Sequence, residues 1–183
     1  MRVIAGDARR TVLYAPDGQN TRPTADRIKE NLFNILAPHI PGAVFLDLFC
    51  GSGAIGIEAL SRGASAAFFV DNSRNAIAAT NANLERSNLT GRANVLTMSA
   101  QRAISQLETD GNVFDIIFLD PPYGSGIIGQ VLDDLEAIIA NDGIIVAEIS
   151  SDNPHIASGY LELYDERDYG SSRLLFYTRR LMN

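Results

Sequence analysis

Two short stretches hold the residue types and spacings that could do chemistry. The first is Asp120-Pro121-Pro122-Tyr123, which ends the apolar run FDIIFLD (114–120). Proline fixes φ and has no N–H to donate, so this turn is stiff and presents carbonyl oxygens. Asp120 and the Pro121 carbonyl could accept the N–H bonds of an exocyclic amine and draw its nitrogen toward tetrahedral geometry. The amine's lone pair would then point at an electrophilic carbon. Tyr123 offers a ring on which a base taken out of its stack could lie. The chemistry that fits is methyl transfer to a base amine, driven by orientation and charge placement. The plainer alternative is a rigid strand-to-loop turn with a buried aspartate.

The second stretch is Gly51-Ser52-Gly53-Ala54-Ile55-Gly56, which follows an apolar run and opens a helical pattern, with Asp71 at the end of the next run. Glycines there permit a tight turn and close backbone approach, and a carboxylate at the second strand end can accept bonds from ribose hydroxyls. The candidate cofactor residues are Asp47, Phe49, Gly51, Ser52, Gly53, Asp71 and Asn72, with Asp120 beside them. Spacing alone suits NAD as well as S-adenosylmethionine. Asp47, four residues before Gly51, favours the latter, because a carboxylate repels a pyrophosphate and attracts an ammonium and a sulfonium. Asp47 could instead be a structural carboxylate capping the loop. Cys50 reads as a space-filler beneath the turn, with no neighbouring His or Lys to activate it.

The elements that must position these residues alternate in type. Strand candidates are 43–49, 66–71, 93–98, 114–120 and 143–149, and helical patterns occupy 54–62, 73–87, 100–108 and 127–140. Nearly continuous apolar strands separated by helices predict a parallel, doubly wound sheet. Strands one and four then flank the switch-point crevice, which brings Asp120 to the glycine loop. The tail, YLELYDE (160–166) and RLLFYTR (173–179), predicts a closing antiparallel hairpin. Residues 2–5 and 11–14 predict a small leading hairpin, and a helix is expected over about 25–36 with Thr24 as its N-cap. The division expected is 1–36 as an RNA-contacting hairpin and helix, and 37–183 as the catalytic domain.

The chain has 183 residues, one cysteine and a net charge of −7. One cysteine excludes an intramolecular disulfide, and His39 and His155 lack metal-ligand spacing, so no metal is expected. No apolar run is long enough for a membrane span, and the N-terminus is not a secretory signal. A reduced, cytoplasmic, monomeric protein is the expectation. The charge is uneven: residues 1–30 hold six basic and four acidic groups, and the remainder is strongly acidic. That basic head is either a solvated surface or a phosphate-contacting patch.

LDLFCGSGAIGIEALSRGA (46–64), FDIIFLDPPYG (114–124), RVIAG (2–6), RPTADRIKENLFNIL (22–36) and RDYGSSRLLFY (167–177) together resemble the RsmD family of 16S ribosomal RNA guanine-N2 methyltransferases. The resemblance spans essentially the whole chain. It implies a class I S-adenosylmethionine-dependent methyltransferase sheet of Rossmann-like type, mostly parallel with a terminal antiparallel hairpin, plus the small N-terminal β-hairpin and helix. It implies S-adenosylmethionine as donor. The implied substrate is one loop guanine in the head of the assembled small subunit, where head proteins could supply further contacts. Asp47, Gly51 and Gly53 would hold the methionine moiety and Asp71 the ribose. Asp120, Pro121, Pro122 and Tyr123 would form the catalytic turn. Arg9, Arg10, Arg22, Thr24 and Arg27 would meet substrate, the last three near the active-site mouth. One position departs from the family pattern: Met98-Ser99-Ala100 lacks an acidic residue after strand three, leaving Ser99 or the backbone at Ala100 to meet adenine. A DNA amine methyltransferase and a non-catalytic ribosome assembly factor are the competing readings.

Overall fold

The computed structural model describes residues 1–15, 23–122, 126–154 and 156–180, with side chains of the first helix from Arg27 onward. Arg22, Tyr123 and the side chain of Thr24, all singled out above, lie outside the described residues, as does His155.

The chain runs through α1 (Pro23–Leu36), β1 (Val44–Asp47), α2 (Ala54–Ser61), β2 (Ala66–Asp71), α3 (Arg74–Arg86), β3 (Ala93–Thr97), α4 (Ala100–Thr109), β4 (Phe114–Leu119), α5 (Ile127–Val131), β5 (Ile139–Ser150), β6 (Leu161–Tyr169) and β7 (Ser172–Arg179). One seven-stranded sheet has the order β3-β2-β1-β4-β5-β7-β6. Strands β1 to β5 pair in parallel, and β7 runs antiparallel to both β5 and β6. The chain reverses its direction of travel across the sheet between β1 and β4, so the crevice of a doubly wound fold falls at their C-terminal ends.

Both faces of the sheet are covered over its central strands, which is why β1, β4 and the second half of β5 read as apolar runs without alternation, while the edge strand β6 is largely exposed. Phe45, Ile116, Phe118, Leu174 and Phe176 point into one core with Leu32, Phe33, Leu36, Ile57 and Leu60. Their neighbours Leu46, Ile117, Leu119, Leu175 and Tyr177 point into the other, with Ala103, Ile104, Leu107, Val131 and Leu135. Val3, Ala8 and Leu13 of the leading segment belong to the first core. The leading hairpin itself is one antiparallel bridge, Arg2 to Val12, flanked by Val3 N–H to Thr11 O and Leu13 N–H to Met1 O, each 2.9 Å.

The helix expected over 127–140 is broken. Residues 127–131 are helical, 134–137 form a 3₁₀ turn, and β5 already begins at Ile139. The periodic apolar residues are buried as expected: Ile128, Val131, Leu135 and Ile138. Ile139, however, pairs with Phe114, and the next pair is Ile116 with Ile144. The intervening residues bulge out of the ladder, Asn141 and Asp142 being exposed. Demand for a partner on β4 wins over helical periodicity, and the tighter 3₁₀ geometry turns the chain into the sheet.

Candidate active site

The glycine loop joins β1 to α2, and each side of it is held by a side chain. Gly53 sits at the helix start with φ +75°, and a Cβ there would come within 2.9 Å of the Thr80 side chain, so only glycine fits. Asp47 is buried at the end of β1, and its Oδ2 accepts the Gly56 N–H at 3.0 Å. It therefore caps α2 from below, through one of the amides that a helix start leaves without an internal partner. Capping and cofactor binding were the two readings of this residue; the loop uses one oxygen, and the group remains beside the loop. Asp71, at the end of β2, accepts from Gly51 N–H at 3.0 Å and from Ser73 N–H at 2.8 Å. From α3, Thr80 donates to the Gly51 carbonyl at 3.0 Å and Asn83 donates to the Ser52 carbonyl at 2.8 Å.

The second motif meets the first. Asp47 pairs with Phe118 in the β1–β4 ladder, so Asp120 stands two residues beyond Asp47's partner at the same edge. Leu119 pairs with Ala147, which puts Asp120, just past the end of β4, level with Glu148 near the end of β5. Pro121 is buried and Pro122 exposed.

Four carboxylates thus face one crevice; burial raises three of them, and like charge adds to this at Asp47 and Asp120. Burial raises the Asp47 carboxyl to about 7; the Gly56 N–H opposes this and the charge of Asp71 adds to it. Asp120 is held above the usual carboxylate range by the protein around it, then by Glu148 and Asp47. Its side chain is open to water, so loss of solvation counts for less there than at Asp47, and the like charges count for more. Glu148 is raised by burial, against a hydrogen bond from Ser172. The Cys50 thiol is pushed up by burial and by Asp47, and its Sγ lies 3.6 Å from the Thr80 hydroxyl, consistent with a packing role.

The remaining expected residues surround this centre. Phe49 and Ser52 are half-buried in the loop, and Asn72 is exposed beside Asp71. Ser99 caps α4, its Oγ facing the Arg102 N–H at 3.5 Å, and Ala100 is the first residue of that helix. The Met98 N–H bonds the Asp71 carbonyl at 3.1 Å, which ties this corner to the end of β2. Arg9, Arg10 and Arg27 are exposed. Glu148, Thr80 and Asn83 were not singled out from sequence. Glu148 is the one charged residue in the run GIIVAEI, and a lone carboxylate at a strand's C-terminal end was the available signal. Thr80 and Asn83 are fully buried polar residues among Ala76, Ile77 and Leu84, which marks a helix face that binds something other than core. Among the described residues no group of three or more His, Cys, Asp or Glu could hold a metal, and no helix is long and apolar enough to cross a membrane.

Known proteins are similar to this chain over nearly its whole length. The family model described as conserved hypothetical protein 95 matches residues 1–178. The Bacillus subtilis protein YlbH, which carries a provisional rRNA methyltransferase name, is 39% identical over 98% of this chain and 100% of its own. Ribosomal RNA small subunit methyltransferase D of Escherichia coli K12 is 34% identical over 98% of this chain and 90% of its own. The solved E. coli protein yhhF, provisionally named a methyltransferase, superposes with a TM-score of 0.83 at 34% identity, covering 100% of this chain and 99% of its own.

Proposed function

The chain belongs to the conserved hypothetical protein 95 family, the RsmD family of ribosomal RNA methyltransferases, and from that premise we propose that it methylates ribosomal RNA using S-adenosylmethionine. The finer reading is that the acceptor is the exocyclic N2 amine of a guanine in 16S RNA of the small subunit. The observation that carries the proposal is the shared edge of β1 and β4. There a buried Asp47 under the glycine loop and the Asp120-Pro121 turn converge on one crevice.

The residues fit the cofactor. The acidic crevice of Asp47, Asp71, Asp120 and Glu148 suits a ligand with an ammonium and a sulfonium, and would repel a pyrophosphate. When bound, S-adenosylmethionine supplies a methyl group on a positively charged sulfur. Asp47 is placed to balance that positive charge, and Asp71 has lone pairs left for ribose hydroxyls after its two backbone bonds. Ser99 keeps acceptor capacity beyond its capping role for the adenine end. Asp120 and the Pro121 carbonyl accept the amine's N–H bonds and turn its lone pair toward the methyl carbon. Held so, the amine nitrogen would form its bond to the methyl carbon in line as the carbon–sulfur bond breaks, S-adenosylhomocysteine would leave, and the surplus proton would pass to the raised carboxyl of Asp120 or Glu148. The contribution of the chain is orientation and preset charge.

The test is transfer of labelled methyl to small ribosomal subunits that lack the modification, followed by nucleoside analysis, with wild type beside Asp120→Ala. We expect N2-methylguanosine from wild type and a loss of at least about a hundredfold in the variant, a usual cost of losing a positioning and charge-placing group. Label in a different nucleoside, or none while the cofactor binds, would sink the finer or the whole reading respectively.

A further inference from the structure

One side chain of α3 joins two parts of the molecule that are far apart in sequence. Asn83 is fully buried. Its Oδ1 accepts the Tyr14 N–H at 2.8 Å, and its Nδ2 donates to the Tyr14 carbonyl at 2.8 Å and the Ser52 carbonyl at 2.8 Å. The orientation of the amide follows from these partners, since an N–H requires the oxygen and two carbonyls require the nitrogen. Tyr14 belongs to the leading hairpin, and Ser52 is the middle of the glycine loop. One amide group therefore bridges the hairpin backbone to the loop backbone.

The hairpin carries a distinctive outer face at this point. Leu13 points into the core, while Arg10, Val12 and Tyr14 are exposed. The Arg86 guanidinium lies 4.4 Å from the centre of the Tyr14 ring, donates to its hydroxyl at 2.6 Å and to the Val12 carbonyl at 3.2 Å. Cation, aliphatic and aromatic groups alternate along this stripe, on a chain that is otherwise acidic. Such a surface suits an unpaired stretch of RNA.

We propose that Asn83 is a positioning residue that makes the hairpin and the glycine loop one unit, so that RNA engaged on the hairpin tightens the loop's hold on S-adenosylmethionine. This rests on the function proposed above. A shift of the Tyr14 peptide must carry Asn83 with it or part the fully buried Asn83 amide from two of its three partners, which is costly. The linkage runs both ways: bound cofactor favours the hairpin position that RNA needs.

The test is calorimetric titration of S-adenosylhomocysteine with and without saturating unmodified small subunits. In wild type we expect subunits to tighten binding by about fivefold or more, a common size for such coupling. In Asn83→Ala the ratio falls to about one. Asn83→Asp keeps an acceptor for the Tyr14 N–H but loses the donor bonds to the Tyr14 and Ser52 carbonyls, and it too loses the coupling. A ratio of about one in wild type overturns the proposal, as does a wild-type ratio retained in both variants. Should the variants fail to fold, amide exchange in wild type decides: bound S-adenosylhomocysteine slows exchange at Tyr14 if the link operates, and an unchanged rate overturns it. If the ligand does not bind wild type, the function proposed above fails and this inference falls with it. Binding with no linkage removes this inference alone.

Discussion

Asp47 is a carboxyl that burial raises to about 7, so it is partly protonated near neutrality. A carboxyl whose pKa is higher folded than unfolded contributes stability that is full below about 4, its unfolded value. That contribution is lost as pH rises through about 7. A cationic ligand reverses the preference by favouring the ionised form. Affinity for S-adenosylmethionine should therefore rise several-fold between pH 6 and pH 8, with release of a proton. Calorimetry in two buffers of different ionisation heat measures both. Asp47→Asn keeps an oxygen for the Gly56 N–H and removes the charge. It should bind about tenfold more weakly at pH 8 and lose most of the pH dependence, since one close charge interaction in a shielded site is worth about that factor. A variant that keeps the wild-type pH slope would assign the titration to another group. At this scale, sequence and structure meet where spacing carries the chemistry. Asp47, the glycines, Asp71 and Asp120 are all legible from their distance to strand ends. Glu148 and Asn83 are not, because register between strands and a helix face turned toward a loop bring them there, neither of which spacing along the chain records.

The element that ties the site to the rest is α2, only eight residues long. Asp47 and the glycine loop hold its start, and Glu58 near its end holds the leading segment. Glu58 is fully buried and accepts from the Ile4 N–H at 2.8 Å, the Ala5 N–H at 3.0 Å and Arg62 at 2.8 Å, with the Lys29 ammonium of α1 at 3.3 Å. Lys29, also buried, donates to the Arg2 carbonyl at 2.6 Å. The next turn adds Ser61, whose hydroxyl donates to Ala5 O and accepts from Ala8 N–H, while its own carbonyl takes the Asp7 N–H. Backbone meets backbone so closely here that a Cβ on Gly6 would overlap the Ser61 carbonyl at 1.7 Å. A buried ion pair is weak evidence of net stability, but breaking one leaves a charge stranded. Glu58→Ala should cost about 3–5 kcal/mol for that reason, measured by urea denaturation. A loss below about 1 kcal/mol would mean that water reaches Lys29 once the partner is gone. Sequence reading found α1 and α2 from their periodicity but gave no hint of this clamp, because a Glu and a Lys on two helices read as ordinary surface charge until the fold buries them. The broken helix at 127–140 failed for a related reason: the same apolar spacing serves a helix or a helix-and-turn, and pairing with β4 decides between them.

For the whole molecule, charge is the informative quantity. A net charge of −7 cannot grip RNA by neutralising many phosphates, the usual source of affinity for naked nucleic acid. The cations of the leading segment, Arg2, Arg9 and Arg10, are exposed, as is Arg86, and under the proposed function shape and a preassembled partner surface would provide the rest. We therefore expect assembled small subunits to be methylated at least about tenfold faster than deproteinised 16S RNA at physiological salt, where a few phosphate contacts hold RNA poorly. Equal rates on both substrates would show that the patch and the crevice suffice alone.

The leading segment shares its core with the sheet: Val3 and Leu13 lie in one cluster with Leu32, Phe33, Phe45 and Ile116. That has a consequence for how such enzymes diversify. A recognition module on a linker can be traded between proteins as a cassette, but these residues cannot leave without baring one face of the catalytic sheet. Arg10, Val12 and Tyr14 face outward and can be exchanged singly without disturbing that core, while the inward residues are held to the shape of the sheet.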